Sequence, residues 1–322
     1  GIFLGGLLQF LFQIPFMKKA GLLVKPQWAW NDEGVKKVRT LMLPALFGVS
    51  VTQINLLLNQ VIASFLVTGS ITWLYYSDRL IEFPLGIFGI AISTVVLPTL
   101  SKIAKQKALN ETARQAQFQT TMDWGVRMVL LLGIPAMIGI ATLAQPMIMT
   151  LFMRGKFGLS DVIASSHSLW IMCLGLNSYM LISILANGFY ANQNTKTPVK
   201  IGLIATACNM CFGLLAIPFG YLGLAMASAL SAAVNASLLY RQLSKQGIYH
   251  ISRKTIFFIL KVAIAALVMG GLVNYFSPHL EEWFEMSTLM KAYWLGWLIV
   301  LAVISYFVML FILGIRKWNF RS

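Results

Sequence analysis

The chain has 322 residues, 58% of them hydrophobic and only 11% charged, with a mean hydropathy of +0.76. A soluble domain ordinarily carries about 25% charge, so this composition excludes one and indicates an integral membrane protein. The formal charge of +15 would suggest a nucleic-acid partner in a soluble chain, but the basic residues fall in short clusters between apolar runs. They report membrane topology, and no nucleic-acid partner is expected.

Nine apolar stretches are long enough to cross about 30 Å of hydrocarbon: 1–17, 41–66, 72–100, 124–151, 163–190, 199–219, 221–243, 255–277 and 288–315. The first begins at Gly1 without a Met, which reads as an internal or C-terminal piece of something longer. The connections alternate in charge. Lys18, Lys19, Lys25, Lys36, Lys37 and Arg39 follow the first stretch, and Lys102, Lys105, Lys107, Arg114 and Arg127 follow the third. Lys196 and Lys200 follow the fifth, and Arg241, Lys245, Arg253, Lys254 and Lys261 follow the seventh. Arg316, Lys317 and Arg321 form the tail, so 21 of the 25 basic residues lie on one side. The positive-inside rule makes that side cytoplasmic and places Ser322 inside.

No connection exceeds about 25 residues, which leaves no room for a soluble catalytic domain. The longest two, 18–40 and 101–123, read as surface helices along the cytoplasmic interface. Trp28, Trp30, Trp124, Trp283 and Trp318 fall near expected interfaces, where aromatic belts form without any ligand. Cys173, Cys208 and Cys211 lie inside apolar runs. The Cys208-x-x-Cys211 pair has no second ligand pair, so packing is the expected role, and no metal site is expected. His167, His250 and His279 are scattered over loops and loop edges and suggest no catalytic constellation.

Three charges lie together well inside one stretch: Asp78, Arg79 and Glu82, within Tyr75-Tyr76-Ser77-Asp78-Arg79-Leu80-Ile81-Glu82-Phe83-Pro84. A charge at a helix centre costs about 2.5–3.5 kcal/mol on insertion scales, so such residues face a protein interior or a watery cavity. The i,i+3 and i,i+4 spacings put all three on one helix face. Taking 1.5 Å per residue from Thr72, the cluster lies about 9–15 Å below the outer end of its span. Pro84 has no N–H to offer the Leu80 carbonyl, which permits a bend beside the charges.

Two readings follow: a polar cavity at a bend, or a self-neutralised ion pair holding helices together. Arg79 neutralises one carboxylate only, which leaves a charge of −1 if all three ionise. The candidate cavity set is Thr72, Tyr76, Asp78, Arg79 and Glu82, with Gln53 and Asn59 from the preceding stretch. Gln53 and Asn59 are six apart and do not share a narrow stripe, so interhelical hydrogen bonding is the alternative for them. Asn177, Asn187, Asn209 and Asn235 read as packing contacts of the same kind.

The run from Gly69 to Leu100, GSITWLYYSDRLIEFPLGIFGIAISTVVLPTL, closely resembles the seventh-to-eighth helix region of the MurJ (MviN) family, bacterial flippases for the lipid-linked peptidoglycan precursor lipid II. The resemblance continues through Met122-Asp123-Trp124-Gly125-Val126-Arg127, Arg154-Gly155-Lys156-Phe157, Gly188-Phe189-Tyr190, Lys196-Thr197-Pro198-Val199-Lys200 and Asn235-Ala236-Ser237-Leu238-Leu239-Tyr240.

It implies an all-α integral membrane fold of the multidrug/oligosaccharidyl-lipid/polysaccharide exporter type. That fold has two six-helix lobes around a central cavity, followed by two extra helices. The nine stretches then correspond to the sixth through fourteenth helices. Residues 1–40 would be the end of the first lobe plus a linker, 41–243 the second lobe, and 244–322 the extra pair and tail.

The resemblance also implies that Arg79 and Glu82 line the cavity, with the arginine facing the substrate pyrophosphate. The missing first lobe would supply the positive charge that offsets the −1, and the last two helices would form a groove for the prenyl tail. The implied function is flipping of a lipid-linked saccharide pyrophosphate across the bacterial cytoplasmic membrane by alternating access, with membrane lipids around it. No enzyme chemistry and no cofactor are expected, and the coupling ion is open. The competing reading is an exporter of the same fold for cationic drugs or other polyprenyl-linked glycans, since excess carboxylate would suit a cation. An intramembrane enzyme has little support, because no metal-ligand His or Ser/His arrangement accompanies Asp78 and Glu82.

Overall fold

In a hydrocarbon solvent every backbone N–H and C=O must be satisfied within its own segment, and apolar runs of this length therefore fold as helices. The computed structural model describes residues 2–21, 30, 32–36, 53, 56–106 and 110–315. It divides into two compact units, Gly1–Ser50 and Val51–Ser322.

In the first unit, helix α1 (Ile2–Lys19) is apolar, carries Pro15 inside, and ends in Lys18 and Lys19. A short turn follows at 33–36, where Asp32 Oδ1 accepts from the Gly34 N–H at 2.8 Å.

In the second unit, residues 56–64 are helical. Helices α2 (Ser70–Pro84) and α3 (Ala91–Lys105) are joined by a π-helical segment, Leu85–Ile90. They are followed by α4 (Glu111–Thr142), α5 (Ala144–Phe152), α6 (Leu159–Ala191) and α7 (Lys196–Leu215). The chain continues through α8 (Gly220–Lys245), α9 (Arg253–Phe276), the short α10 (Leu280–Glu285) and α11 (Thr288–Ile312).

Among the described residues, seven helices are long and apolar enough to cross a membrane: Ser70–Lys105, Glu111–Thr142, Leu159–Ala191, Lys196–Leu215, Ile217–Lys245, Arg253–Phe276 and Thr288–Ile312. They coincide with the last seven stretches read from the sequence. The first stretch is the helix α1, whose two terminal lysines dilute its hydropathy, and it is not among the seven. The stretch at 41–66 lies largely outside the described residues, so the expected nine reduces to seven here.

Two further expectations are corrected. The connection 101–123 is not a separate surface helix, because α4 starts at Glu111 and runs 32 residues without a break. At 1.5 Å per residue it is about 48 Å long, so it projects beyond about 30 Å of hydrocarbon. The stretch 124–151 is likewise not one helix: it breaks at Leu143, and α5 begins one residue later.

Helix α6 lies at the centre, packed against α2, α3, α4 and α8; α7 covers α8, α9 lies on α4, and α11 on α9. Small residues permit the close approaches that stabilise helix pairs in lipid. A Cβ on Gly175 of α6 would stand 2.9 Å from the Ala229 Cα of α8. Interhelical hydrogen bonds reinforce the packing: Asn187 Nδ2 donates to Ser93 Oγ at 2.8 Å, Ser231 Oγ to the Ala205 carbonyl at 2.8 Å, and Tyr306 OH to the Leu131 carbonyl at 2.6 Å. Asn187 thus has the packing role expected of it, and Asn177 Nδ2 lies 3.2 Å from Met137 Sδ. The outside is apolar, as a lipid-facing surface must be, with Leu174, Phe257 and Leu267 largely exposed.

Candidate functional site

Helix α2 has two faces that follow from its sequence period. Ser77, Leu80, Ile81 and Pro84 are buried, at the i, i+3, i+4, i+7 spacing of a single stripe against α6. The Ser77 hydroxyl lies within hydrogen-bonding distance of the Trp73 carbonyl (2.9 Å) and of the Ser165 carbonyl of α6 (2.8 Å). Trp73 fixes the first turn: its Nε1–H donates to Asp161 Oδ1 at 2.8 Å, while Asp161 Oδ2 accepts from the Gly158 N–H at 2.9 Å.

The opposite stripe carries Tyr75, Asp78, Arg79 and Glu82, all exposed. Arg79 Nη1 donates to Glu82 Oε2 at 2.6 Å, with the two side chains 54% and 58% exposed. The Arg79 guanidinium also stands over the Tyr75 ring, 4.9 Å from its centroid. Asp78 shares this face and enters none of the ion pairs among the described residues. The three charges are therefore together, as the spacing predicts. They do not lie between packed helices of this unit, which removes the reading of a buried ion pair holding those helices together.

Below the cluster the helix changes form. With no N–H on Pro84, the next donor, Leu85 N–H, reaches the Glu82 and Ile81 carbonyls, and a π-helical segment begins. Single π-turns inside α-helices frequently mark functional sites. The expected local irregularity is thus a widened turn in a helix that continues to Lys105.

The other candidates divide. Thr72 is exposed in the first turn of α2. Tyr76 is used in packing, stacked on Phe152 at 4.3 Å and edge-on to Phe157 at 5.2 Å. Gln53 is exposed and Asn59 half-buried, and no hydrogen bond among the described residues joins either to the charges. Cys173, Cys208 and Cys211 are free thiols. No group of three or more His, Cys, Asp or Glu among the described residues could hold a metal.

A second polar network was not legible in the sequence. Gln115, Gln119, Asp123 and Arg127 form an i,i+4 stripe on α4 that grips the linker between α8 and α9. Gln115 Nε2 donates to the Gly247 carbonyl (2.8 Å) and Gln119 Nε2 to the His250 carbonyl (2.7 Å). Tyr249 OH donates to the buried Asp123 at 2.7 Å, and Arg127 Nε donates to Thr255 Oγ1 at 2.8 Å. Arg127 Nη2 also stands 3.8 Å from Asp123 Oδ2. Burial and the Asp123 carboxylate together push the Tyr249 hydroxyl well above the ordinary tyrosine range. The four-residue spacing was the available signal, but these residue types read equally well as a solvated face.

The sequence model of the family described as "Lipid II flippase MurJ" matches residues 1–294. The Haemophilus influenzae protein named "Probable lipid II flippase MurJ" is 65% identical over 317 residues, covering 98% of this chain and 62% of that relative. The protein of the same name from Vibrio cholerae is 53% identical, covering 100% of this chain and 60% of the relative. The "Lipid II flippase MurJ" of Burkholderia cenocepacia is 36% identical, covering 99% and 62%. The chain thus spans about three fifths of the length of these relatives. A solved structure titled "Lipid II flippase MurJ, inward closed conformation" aligns with a TM-score of 0.71 at 23% identity, covering 91% of this chain and 58% of that one, and shows a shared fold.

Proposed function

From the premise that this chain belongs to the lipid II flippase MurJ family, we propose that it forms part of a flippase that moves lipid II across the bacterial inner membrane by alternating access. The observation that carries the reading is the exposed Asp78, Arg79 and Glu82 stripe on a membrane-spanning helix. Hydrocarbon does not accept three charges, so the stripe faces a watery cavity, and substrate sites near the bilayer midplane between two moving bundles have this character. Arg79 is the group that meets the pyrophosphate, because a planar guanidinium offers paired donors to phosphate oxygens. The side chain beneath it, Tyr75, and the ion pair with Glu82 hold the guanidinium in place until the substrate arrives.

The reaction requires no bond to be made or broken, and the protein acts as a transporter without a nucleophile or acid/base pair. The charge of −1 left by two carboxylates and one arginine is offset by positive groups of a first lobe facing this stripe. Residues 41–243 form the second lobe and 244–322 the extra helix pair with the tail. The nine-span topology places the basic connections and Ser322 in the cytoplasm. Asp78 and Glu82 are the groups at which a coupling proton or cation would act.

The test is growth of flippase-depleted cells carrying the full-length protein with Arg79→Ala or Arg79→Lys. An exposed ion pair contributes little to folding, so abundance stays near normal. Loss of a charge-assisted hydrogen bond to the substrate lowers flipping by about tenfold or more, and a lysine, lacking the fork, restores it only partly. Normal flipping by Arg79→Ala, or loss of abundance in place of activity, would overturn the assignment.

A further inference from the structure

Between the start of α7 and the end of α8 lies a groove of about 460 Å³ lined by Lys196, Lys200, Arg241 and Lys245 together with the aliphatic side chains Ile201 and Leu238. We propose that this groove is a binding site for an anionic phospholipid, with the headgroup phosphate held by the four basic side chains and an acyl chain lying along the aliphatic floor.

The charge arrangement requires a ligand more than topology does. Lys196 and Lys200 are one turn apart on α7, and Arg241 and Lys245 are one turn apart on α8, so each helix presents a like-charged i,i+4 pair that repels itself. All four side chains are exposed, and none takes part in an ion pair or hydrogen bond among the described residues. No acidic residue lines the groove. The positive-inside rule needs basic residues somewhere in these connections. It does not need two separate connections to set theirs into one groove at a helix–helix seam.

The polarity gradient selects the class of ligand. The basic residues occupy the ends of two membrane-spanning helices, at the level of headgroups. Ile204 lies eight residues beyond Lys196 along α7, about 12 Å further along its axis, and is exposed, whereas Ile201 is buried. A cationic mouth over an aliphatic floor fits an amphiphile and not a free anion. Basic pockets between transmembrane helices on the cytoplasmic side take anionic headgroups by this means.

The experiment is native mass spectrometry of the purified full-length protein with phosphatidylglycerol or phosphatidylethanolamine. Lys200→Gln with Arg241→Gln should lower retained phosphatidylglycerol at least fivefold. Lys200→Arg with Arg241→Lys should keep it, and so should Lys102→Gln with Lys105→Gln, which removes two exposed charges elsewhere on the basic end. Phosphatidylethanolamine should not be retained at the site by any form. Equal loss in both glutamine variants would mean diffuse surface charge and would overturn the proposal, as would equal retention of the zwitterionic lipid. Displacement of phosphatidylglycerol by millimolar inorganic phosphate would make it a free-anion site. Displacement by a polyprenyl pyrophosphate would make it a loading site for the transported lipid. Either result would overturn the phospholipid assignment.

Discussion

Replacing Tyr249 by Phe removes one hydroxyl from a buried network and leaves the ring in place. The hydroxyl donates to Asp123 at 2.7 Å, and both residues are at least nine-tenths buried. Without it, the facing carboxylate oxygen, Oδ1, has lost its only short hydrogen bond among the described residues, and Arg127 stands 3.8 Å from the other oxygen, Oδ2. A hydrogen bond to a charged group is worth about 1.5–3 kcal/mol, and that is the expected loss for the full-length protein. The assay is reversible unfolding in detergent, with Asp123→Ala and the double variant completing a cycle. The two single losses should not add, because both remove the same bond.

The pH dependence has a fixed sign. The folded state holds the Tyr249 proton above the pH, about 10, at which an unfolded tyrosine gives it up. Its contribution is therefore complete below pH 10 and declines as pH rises beyond it, by up to about 1.4 kcal/mol per pH unit. Tyr249→Phe should flatten that alkaline decline. A variant within 0.5 kcal/mol of the parent, or with an unchanged alkaline slope, would refute the reasoning.

Gly175→Val should destabilise by about 1–3 kcal/mol through overpacking of α6 on α8, measured in the same unfolding assay, because the Ala229 backbone cannot move aside. Single cysteines at Gln106 and Glu282 in a thiol-free background should label from opposite sides of the membrane; equal labelling of both by an impermeant reagent on whole cells would contradict the proposed topology. Asp161→Asn should weaken the Trp73 anchor by about 1 kcal/mol while leaving the Ser77 contact of α2 intact, read as a modest loss of stability without loss of flipping.

The last seven spans and the charged face were legible because both rest on local rules. Twenty apolar residues have few alternatives to a helix, and the spacing of Asp78, Arg79 and Glu82 fixes their shared face. Pro84 announced a local irregularity, although the sequence did not reveal that it would take the form of a π-turn inside a continuous helix. The longer-range polar contacts were hidden. Gln115, Gln119 and Asp123 have the composition of a solvated connector, and only the return of the linker at 247–252 gives them partners. Tyr76 shares a helix with the charges but meets Phe152 and Phe157, which lie more than 70 residues away in sequence. The break at Leu143 had a local signal in Pro146, in the first turn of α5, which has no N–H to offer the Thr142 carbonyl.

The central claim is that the charged stripe of α2 faces the transported headgroup. A photo-crosslinking amino acid placed at Asp78 in the full-length protein, in cells making radiolabelled cell-wall precursor, tests it most directly, with Phe257 on the apolar exterior of α9 as the control. An adduct with the pyrophosphate-linked saccharide lipid is expected at position 78 and none at position 257. Adducts with ordinary phospholipid alone at both positions, in protein that still supports growth, would contradict it.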